Sequence, residues 1–439
     1  VTTLAIDIHD TGLLALDSQG PLQALGPGYA LFEKKRPVFG FDALERARLT
    51  PGRVYNRFWQ EMNTSPLGRP FPRGLSRADL ANGHLASAWE QLGRSASSVL
   101  LAVPGDYNKE QLALLLGIAQ ANDIPVTALV DAAPAALCHA FHPNGAGLPA
   151  CKTVLYLDIH LHRSLATEFL LVQDEVSGPR IERWNITRDH HAGQVPLFRL
   201  WARAIARVFI EKTRFDPLHA AQTEQVLYQL LPDWLSLLLQ EPEIEASLSH
   251  RGRGYKVILQ RDHLKTAAAE IYNRLEVLAG EYATAKPGTK LVLSHRLAAL
   301  PGLIEQLGNP VYLAEDAVPE GLLQSQTPAA NPTGQILFQT GLPVKLASAS
   351  RVKPVLSAPK QTAPAPTHFL HHGLAYPLDQ WSTMAGDQCP LVSRNGTLLL
   401  EETTPCLLNG QTHAGQTVLA SGDRLQLGTR EIQLIRVVN

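Results

Sequence analysis

Between Val99 and Ala140 the apolar residues change period twice. Val99 to Val103 is an unbroken apolar run stopped by Pro104-Gly105, and it reads as a short buried strand. From about Asn108 to Asn122 the period lengthens. Leu112, Leu115, Leu116 and Ala119 fall at i, i+3, i+4 and i+7, one face of an amphipathic helix. Val126 to Val130 is a second apolar run, followed by Asp131 and a small-residue helix over Ala132 to Ala140. Strand, helix and strand joined this tightly form a βαβ unit, so the two strands are expected to be parallel neighbours.

The same patterns place the other elements. Residues 2–8 predict a buried first strand, His9-Asp10-Thr11-Gly12 a turn, and Leu13 to Leu16 a return strand. Phe41 to Arg48 reads as a short helix, 50–75 as irregular loop, and Leu75 to Leu92 as a helix with Ser76 as N-cap. Thr153 to His162 reads as a strand that turns at Arg163-Ser164 into a return strand, Ala166 to Val172. Residues 190–231 have helical spacing, broken at Pro217 and resumed over Ala220 to Leu231. Tyr255 to Leu259 predicts a strand, His263 to about Ala283 a helix capped by Asp262, Lys290 to Leu293 a strand, Leu297 to Leu307 a helix and Val311 to Leu313 a short strand.

After Leu346 the pattern stops. Ser348 to Pro366 is rich in Ser, Ala, Pro and Lys without periodicity, which predicts an extended linker. Beyond it lie short apolar stretches at 368–377, 397–401, 406–408, 417–419, 424–427 and 431–438, with Asn395-Gly396 and Asn409-Gly410 at hairpin positions. That spacing predicts a small all-β module.

Composition narrows the class. The 439 residues hold 39 Lys and Arg against 40 Asp and Glu, interspersed, so no basic surface for nucleic acid is expected. The short cluster Glu33-Lys34-Lys35-Arg36 reads as a solvated turn. Cys138, Cys151, Cys389 and Cys406 lack CxxC spacing, which argues against a structural zinc site and for a reducing compartment. No apolar run reaches the roughly 20 residues that span a bilayer, and the amino end opens on a strand without a signal-peptide pattern. The expectation is a cytoplasmic protein with no membrane partner.

The tripeptide Asp7-Ile8-His9 recurs as Asp158-Ile159-His160, at the same point of two strand-turn-strand units. Val103, Pro104, Tyr107, Asn108, Gln111, Asp131, Ala135, Ala136 and Leu137 resemble the stretch of DnaK-type heat-shock chaperone ATPases that runs from "VPAYF" to "NEPTAAAL". Asp7 matches the aspartate of that family's "IDLGTTNS" loop, and Asp158 that of its "DLGGGTFDVSIL" loop. Lys290 to Leu307 resembles its "VLVGGSTRIPKVQKLV", with Pro301 on the family proline. The resemblance covers roughly three quarters of the chain. It implies an α/β, two-lobed, actin-like fold of two ribonuclease-H-like halves over 1–346, with the two turns facing across a cleft. A linker over 347–366 and a small β-sandwich over 367–439 complete the expected organisation. The stretch "LLNGQ…VLASGDRLQLGTREIQLIRV" resembles the second half of a forkhead-associated domain. Gly386-Asp387 and Ser393-Arg394-Asn395 are the candidates for its phosphothreonine-holding turns and do not reproduce their pattern.

Within the resemblance, Asp7, Asp131 and Asp158 are the acidic catalytic candidates, and Asp7 and Asp158 would hold magnesium. His9, Asp10, Thr11, His160, His162, Ser294 and His295 are the nucleotide-cleft positions. His9 stands where the family has glycine, His160 to His162 replace further glycines, and Ser294 and His295 replace the pair that lies against adenosine. Glycine turns cradle phosphate because no side chain blocks the approach to their amides. Asp131 replaces a glutamate one methylene longer. The expected function is therefore a degenerate, pseudo-ATPase scaffold that works through protein partners, with no cofactor. The alternative is an active chaperone-type ATPase that binds ATP or ADP with magnesium. A third reading makes the β module a phosphopeptide reader, with a basic pocket around Arg394 and Arg424. Convergence of Asp7, His9, Asp10, Asp158, His160 and His162 on a divalent metal is a further possibility, set against the simpler reading of drifted turn residues.

Overall fold

The computed structural model describes residues 3–18, 20–33, 37–142, 146, 148, 151–174, 178–285, 288–325 and 336–346, then 366–371, 374–378, 391–394, 397–400, 406–408, 411–413, 417–419, 423–427 and 430–435. The chain separates into two units, Val1–Ser348 and Ala349–Asn439.

The first unit is α/β. It opens with a meander of β1 (Thr3–Asp7), β2 (Leu13–Asp17) and β3 (Gln23–Gly26). β4 (Ala30–Phe32), β5 (Pro37–Phe39) and β6 (Val54–Tyr55) make a small sheet, with helix α1 (Gly40–Leu44) following β5. Next come α2 (Arg77–Gln91), β7 (Ser98–Val103), α3 (Lys109–Ala121), β8 (Val126–Asp131) and α4 (Ala132–Phe141). Ser76 and Asn108 close capping boxes with Asp79 and Gln111, which satisfies backbone donors that a helix start otherwise leaves free. β7 and β8 are parallel neighbours, as the βαβ reading requires.

A second meander follows: β9 (Thr153–Ile159), β10 (Ser164–Asp174) and β11 (Gly178–Asp189). The remainder runs through α5 (Gln194–Thr213), α6 (Ala221–Gln240), the hairpin β12 (Glu243–His250) and β13 (Arg253–Gln260), and α7 (Arg261–Ala285). It ends with β14 (Lys290–Leu293), α8 (His295–Ala298), α9 (Leu303–Gln306), β15 (Val311–Tyr312), α10 (Ala317–Gln324), β16 (Phe338–Gln339) and β17 (Gly341–Pro343).

The two large sheets share one plan. The first has the order β16-β8-β7-β1-β2-β3 and the second β15-β14-β9-β10-β11-β17. In each, an antiparallel meander lies on one side of the first strand, and parallel strands lie on the other. β1 and β9 occupy the same central position. Helices α4 and α10 share one core with inward residues of both sheets, among them Ala5, Ala102 and Val130 from the first and Val154, Tyr156 and Val292 from the second. Gly321 of α10 lies so close to the Ala135 carbonyl of α4 that a Cβ there would overlap it. The opposite faces carry α2 and α3 on the first sheet, and α5, α6, α7 and the β12–β13 hairpin on the second.

Several elements depart from the sequence reading. β11 and β12 were not expected: exposed charged residues dilute the apolar signal of β11, and Glu243, Glu245 and Ser247 alternate with the inward residues of β12. α6 continues through Pro232 to Gln240, because its buried face, with Leu231, Trp234, Leu235 and Leu238, packs on both sides of the proline. The expected helix over 297–307 is two short pieces parted at Pro301-Gly302, where Gly302 takes a left-handed φ of 77°. Asp262 lies inside the first turn of α7 rather than before it. The second unit contains strands, in a six-stranded and a three-stranded sheet. Leu391–Arg394 pairs with Thr397–Leu400, and Arg424–Leu427 with Arg430–Ile435. Gly386-Asp387, Asn395-Gly396 and Asn409-Gly410 lie outside the described residues, as do Lys34 to Arg36 and almost all of the expected linker. Among the described residues no helix is long and apolar enough to cross a membrane.

Two expected outcomes follow from this packing. Gly321→Ala forces α4 and α10 apart and lowers the unfolding free energy by about 3 kcal/mol, whereas Gly117→Ala, on an open face of α3, raises it by about 0.5 kcal/mol; urea melts compare the two. The second concerns His84 of α2. Burial pushes this imidazole down to about 3, and its Nδ1 accepts the Trp59 indole N–H at 3.0 Å. The unfolded chain therefore binds a proton that the folded chain refuses as pH falls from about 6.5 towards 3. Stability drops over that window. His84→Gln, which can still accept from Trp59, flattens the slope by up to about 1.4 kcal/mol per pH unit, read from thermal melts across pH.

Candidate functional site

β1 and β9 end in matched turns. After β1 come His9, Asp10, Thr11 and Gly12, with the Gly12 N–H donating to the His9 carbonyl at 3.1 Å. After β9 come His160 to Arg163, closed by a bond from the His160 N–H to the Arg163 carbonyl at 2.7 Å. β1 and β9 are central strands, and α4 and α10 hold their sheets together, so the two turns meet. The imidazoles of His9 and His160 stack with centroids 4.0 Å apart and 19° between their planes.

Charged groups fill the space around that stack. Arg296, in α8 just after β14, donates from Nη2 to Asp7 Oδ2 at 3.1 Å and from Nη1 to Asp158 Oδ2 at 3.5 Å. His9 Nε2 stands 3.3 Å from the same Asp158 oxygen. Asp10 reaches across to the other turn: its Oδ1 accepts the Leu161 N–H at 3.1 Å and lies 3.1 Å from His160 Nδ1. Asp7, His9, Asp10, Asp158, His160 and Arg296 are all buried. One step out, Arg163 Nη2 donates to Asp106 Oδ1 at 2.9 Å, and Arg188 Nε to Asp106 Oδ2 at 3.0 Å.

Burial and pairing set the ionisation. Burial alone would raise Asp158, but His9 and Arg296 outweigh it and hold the carboxyl well below the usual range. Asp10 is held low in the same way by His160, His9 and Arg163 against the effect of burial. Burial raises Asp7 despite its bond to Arg296. Burial, with Arg296 and His160 adding to it, pushes His9 down to about 3, so its ring is neutral near pH 7.

The structure therefore brings Asp7, His9, Asp10, Asp158 and His160 into one cluster. Thr11 adjoins it, with its Oγ1 2.8 Å from His9 Nδ1. The other expected positions are used differently. Asp131 is the N-cap of α4: its Oδ1 accepts the Ala133 N–H at 3.0 Å, and its Oδ2 takes Arg183 Nη1 at 2.6 Å. Burial lifts Asp131 to about 6 against the pull of Arg183. Gly105 is needed there because a Cβ would run into the Asp131 carboxylate. His162 turns away, with Nε2 3.0 Å from Asn56 Oδ1. Ser294 caps α8 through Leu297 N–H and extends β14 by bonding the Leu157 carbonyl at 3.0 Å. His295 lines a cavity of about 350 Å³ with Gly12, Leu14, Phe198, Leu239 and Arg296.

Sequence reasoning missed Arg296, Asp106, Arg163, Arg183 and Arg188 as site residues. Arg296 directly follows the Ser294-His295 pair, but that position alone does not point to its two carboxylate partners. Arg183 and Arg188 sit on β11, which the pattern did not reveal. A second group of contacts joins α6 to the chain after α1. The Gln225 amide accepts the Arg48 N–H at 2.8 Å and donates to the Leu44 carbonyl at 3.2 Å. The Arg48 guanidinium lies 3.7 Å from the centroid of Tyr228.

Arg296→Met, similar in length but uncharged, leaves Asp7 and Asp158 facing each other without a cation. The expected cost near pH 7 is about 3–5 kcal/mol. The contribution of Asp158 to the pH response also changes sign. Wild-type Asp158, held low, gives stability that is lost as pH falls below its ordinary value. In the variant the two carboxyls hold protons more tightly folded than unfolded, so acidification recovers part of the loss. Urea melts of both proteins at pH 7 and pH 5 test this.

No protein-family model matches the chain, and no curated protein matches it.

Proposed function

We propose that this protein is a chaperone-like pseudo-ATPase scaffold: a two-lobed, actin-like domain whose nucleotide cleft is filled by its own side chains, acting through protein–protein contacts in a larger assembly. The shared strand plan of the two large sheets supports the duplicated fold, with β1 and β9 as equivalent strands. One observation carries the functional half. The Arg296 guanidinium lies between the carboxylates of Asp7 and Asp158, hydrogen-bonded to both.

In an active relative those carboxylates would serve a hydrated magnesium ion, and the turn amides would serve phosphate. The residues here do not fit that pair of ligands. Arg296 supplies the positive charge, and a second cation would meet it at close range. Asp10 supplies the negative one, because its carboxylate already takes the Leu161 N–H of the second turn. The His9–His160 stack fills the space between. Asp131 is tied to Arg183 and to its own helix. No hydrolytic step follows from these groups.

The carboxyl-terminal unit extends the same reading as a second, forkhead-associated-like interaction module. Its strands support a β-sandwich. Ser393 and Arg394 lie on one strand, and Arg424 begins another.

The discriminating experiment is calorimetry of the full chain with magnesium-ATP and with magnesium-ADP. The scaffold reading expects no binding heat at millimolar nucleotide. Micromolar binding of either nucleotide overturns it in favour of an active chaperone-type ATPase.

A further inference from the structure

We propose that the cavity between α1 and the helices α5 and α6 is a binding site for a small, uncharged aromatic molecule with one amide-like hydrogen-bonding group. Its volume is about 490 Å³, within the range of small-molecule sites. A partner helix, about 10–12 Å across with its side chains, would fill it within roughly one turn. No member of the charged cluster (Asp7, His9, Asp10, Asp158, His160 or Arg296) lines it. The site is therefore separate from the one the pseudo-ATPase reading rests on.

Apolar walls face the cavity from two parts of the chain. Tyr29, Phe41 and Leu44 come from the segment around α1, and Leu161, Phe198 and Tyr228 from the second turn, α5 and α6. A flat ring held there meets aromatic side chains from both parts. At the mouth, Phe41 is 50 % and Leu44 38 % exposed, two large apolar side chains on one short helix. Their exposure keeps an apolar entrance open to water.

The polar groups of the lining decide the charge of the ligand. Arg48 is already committed: its guanidinium lies 3.7 Å from the Tyr228 centroid, and its Nη1 is 3.6 Å from Glu224 Oε1. Gln225 is spent on the Arg48 N–H and the Leu44 carbonyl, and the Thr11 hydroxyl on His9. Glu45 is exposed to water. An anion thus finds no free cation, and a cation no desolvated carboxylate. Either charge would lose its water without gaining a partner. The Gln194 side-chain amide also lines the cavity, and among the described residues it has no hydrogen-bond partner. It can give one donor and one acceptor to a neutral group.

The test is a fluorescence titration of the full chain with N-phenylnaphthylamine, an uncharged ring probe, followed by displacement. The proposal expects one saturable site of micromolar affinity. Naphthalene carboxamide displaces the probe, and its charged counterparts, naphthoate and naphthylmethylammonium, do so about tenfold or more weakly. Adenosine does not compete. Leu44→Glu, at an exposed position of the mouth, weakens the probe by about tenfold or more, and Leu237→Glu, exposed on α6 outside the cavity, leaves it unchanged. Absence of saturable binding overturns the proposal, as does full affinity in Leu44→Glu. Equal displacement by the charged compounds, or displacement by adenosine, overturns it on the wild type alone.

Discussion

The bridge from Arg296 to Asp7 and Asp158 is the contact that orders this molecule. Asp7 closes the central strand of one sheet, Asp158 lies near the end of the central strand of the other, and Arg296 comes from α8, just after β14. Three segments separated by more than a hundred residues are thus tied at one buried point. Ion pairs out of water stabilise a fold little in themselves, since desolvation of the partners offsets their attraction. Their effect is to forbid alternatives. Any arrangement that separates the three leaves a bare charge in an apolar interior, so the ends of β1 and β9 have one permitted relation.

Two further levels of contact repeat that constraint by other means. Beneath the charged cluster, α4 and α10 press together through Gly321 and fill the space between the sheets with Ala, Val and Leu side chains. Here the force is burial and close approach, which tolerate no added volume. On the other side, Gln225 ties α6 to the backbone of Leu44 and Arg48 with two neutral hydrogen bonds. Apolar packing, buried charge and amide bridging thus act at successive positions along one seam. Each fails under different conditions, so no single change of salt or pH releases all three.

What the sequence disclosed depended on how local the determinant was. The βαβ unit from Ser98 to Phe141 was legible because its periods and caps lie within a few residues of one another. The paired turns were legible through the repeated Asp-Ile-His. β11 was not, because it alternates weakly and carries Arg180, Glu182, Arg183 and Arg188, three of whose partners lie on other elements. Asp131 looked like a site residue by position, yet its neighbours, Ala133 and Arg183, make it a cap and an ion-pair member. The role of Arg296 could not be read for a related reason. Nothing near it in sequence announces two carboxylates, and only the fold of both sheets brings them within reach.

The choice of histidine at the two turns follows from what surrounds it. A glycine turn exposes backbone amides and attracts anions. Here Asp10 already takes one such amide, so a bare turn would leave the space between the turns lined with carboxylates and half empty. Imidazole fills that volume, stays neutral when buried, and can face a carboxylate or another ring. Lysine or arginine would fill it too, but would add a second desolvated cation beside Arg296. Asparagine would bond but leave a gap where the rings now stack. Paired histidines meet the steric and electrostatic demands together, which couples the residue choice at one turn to that at the other.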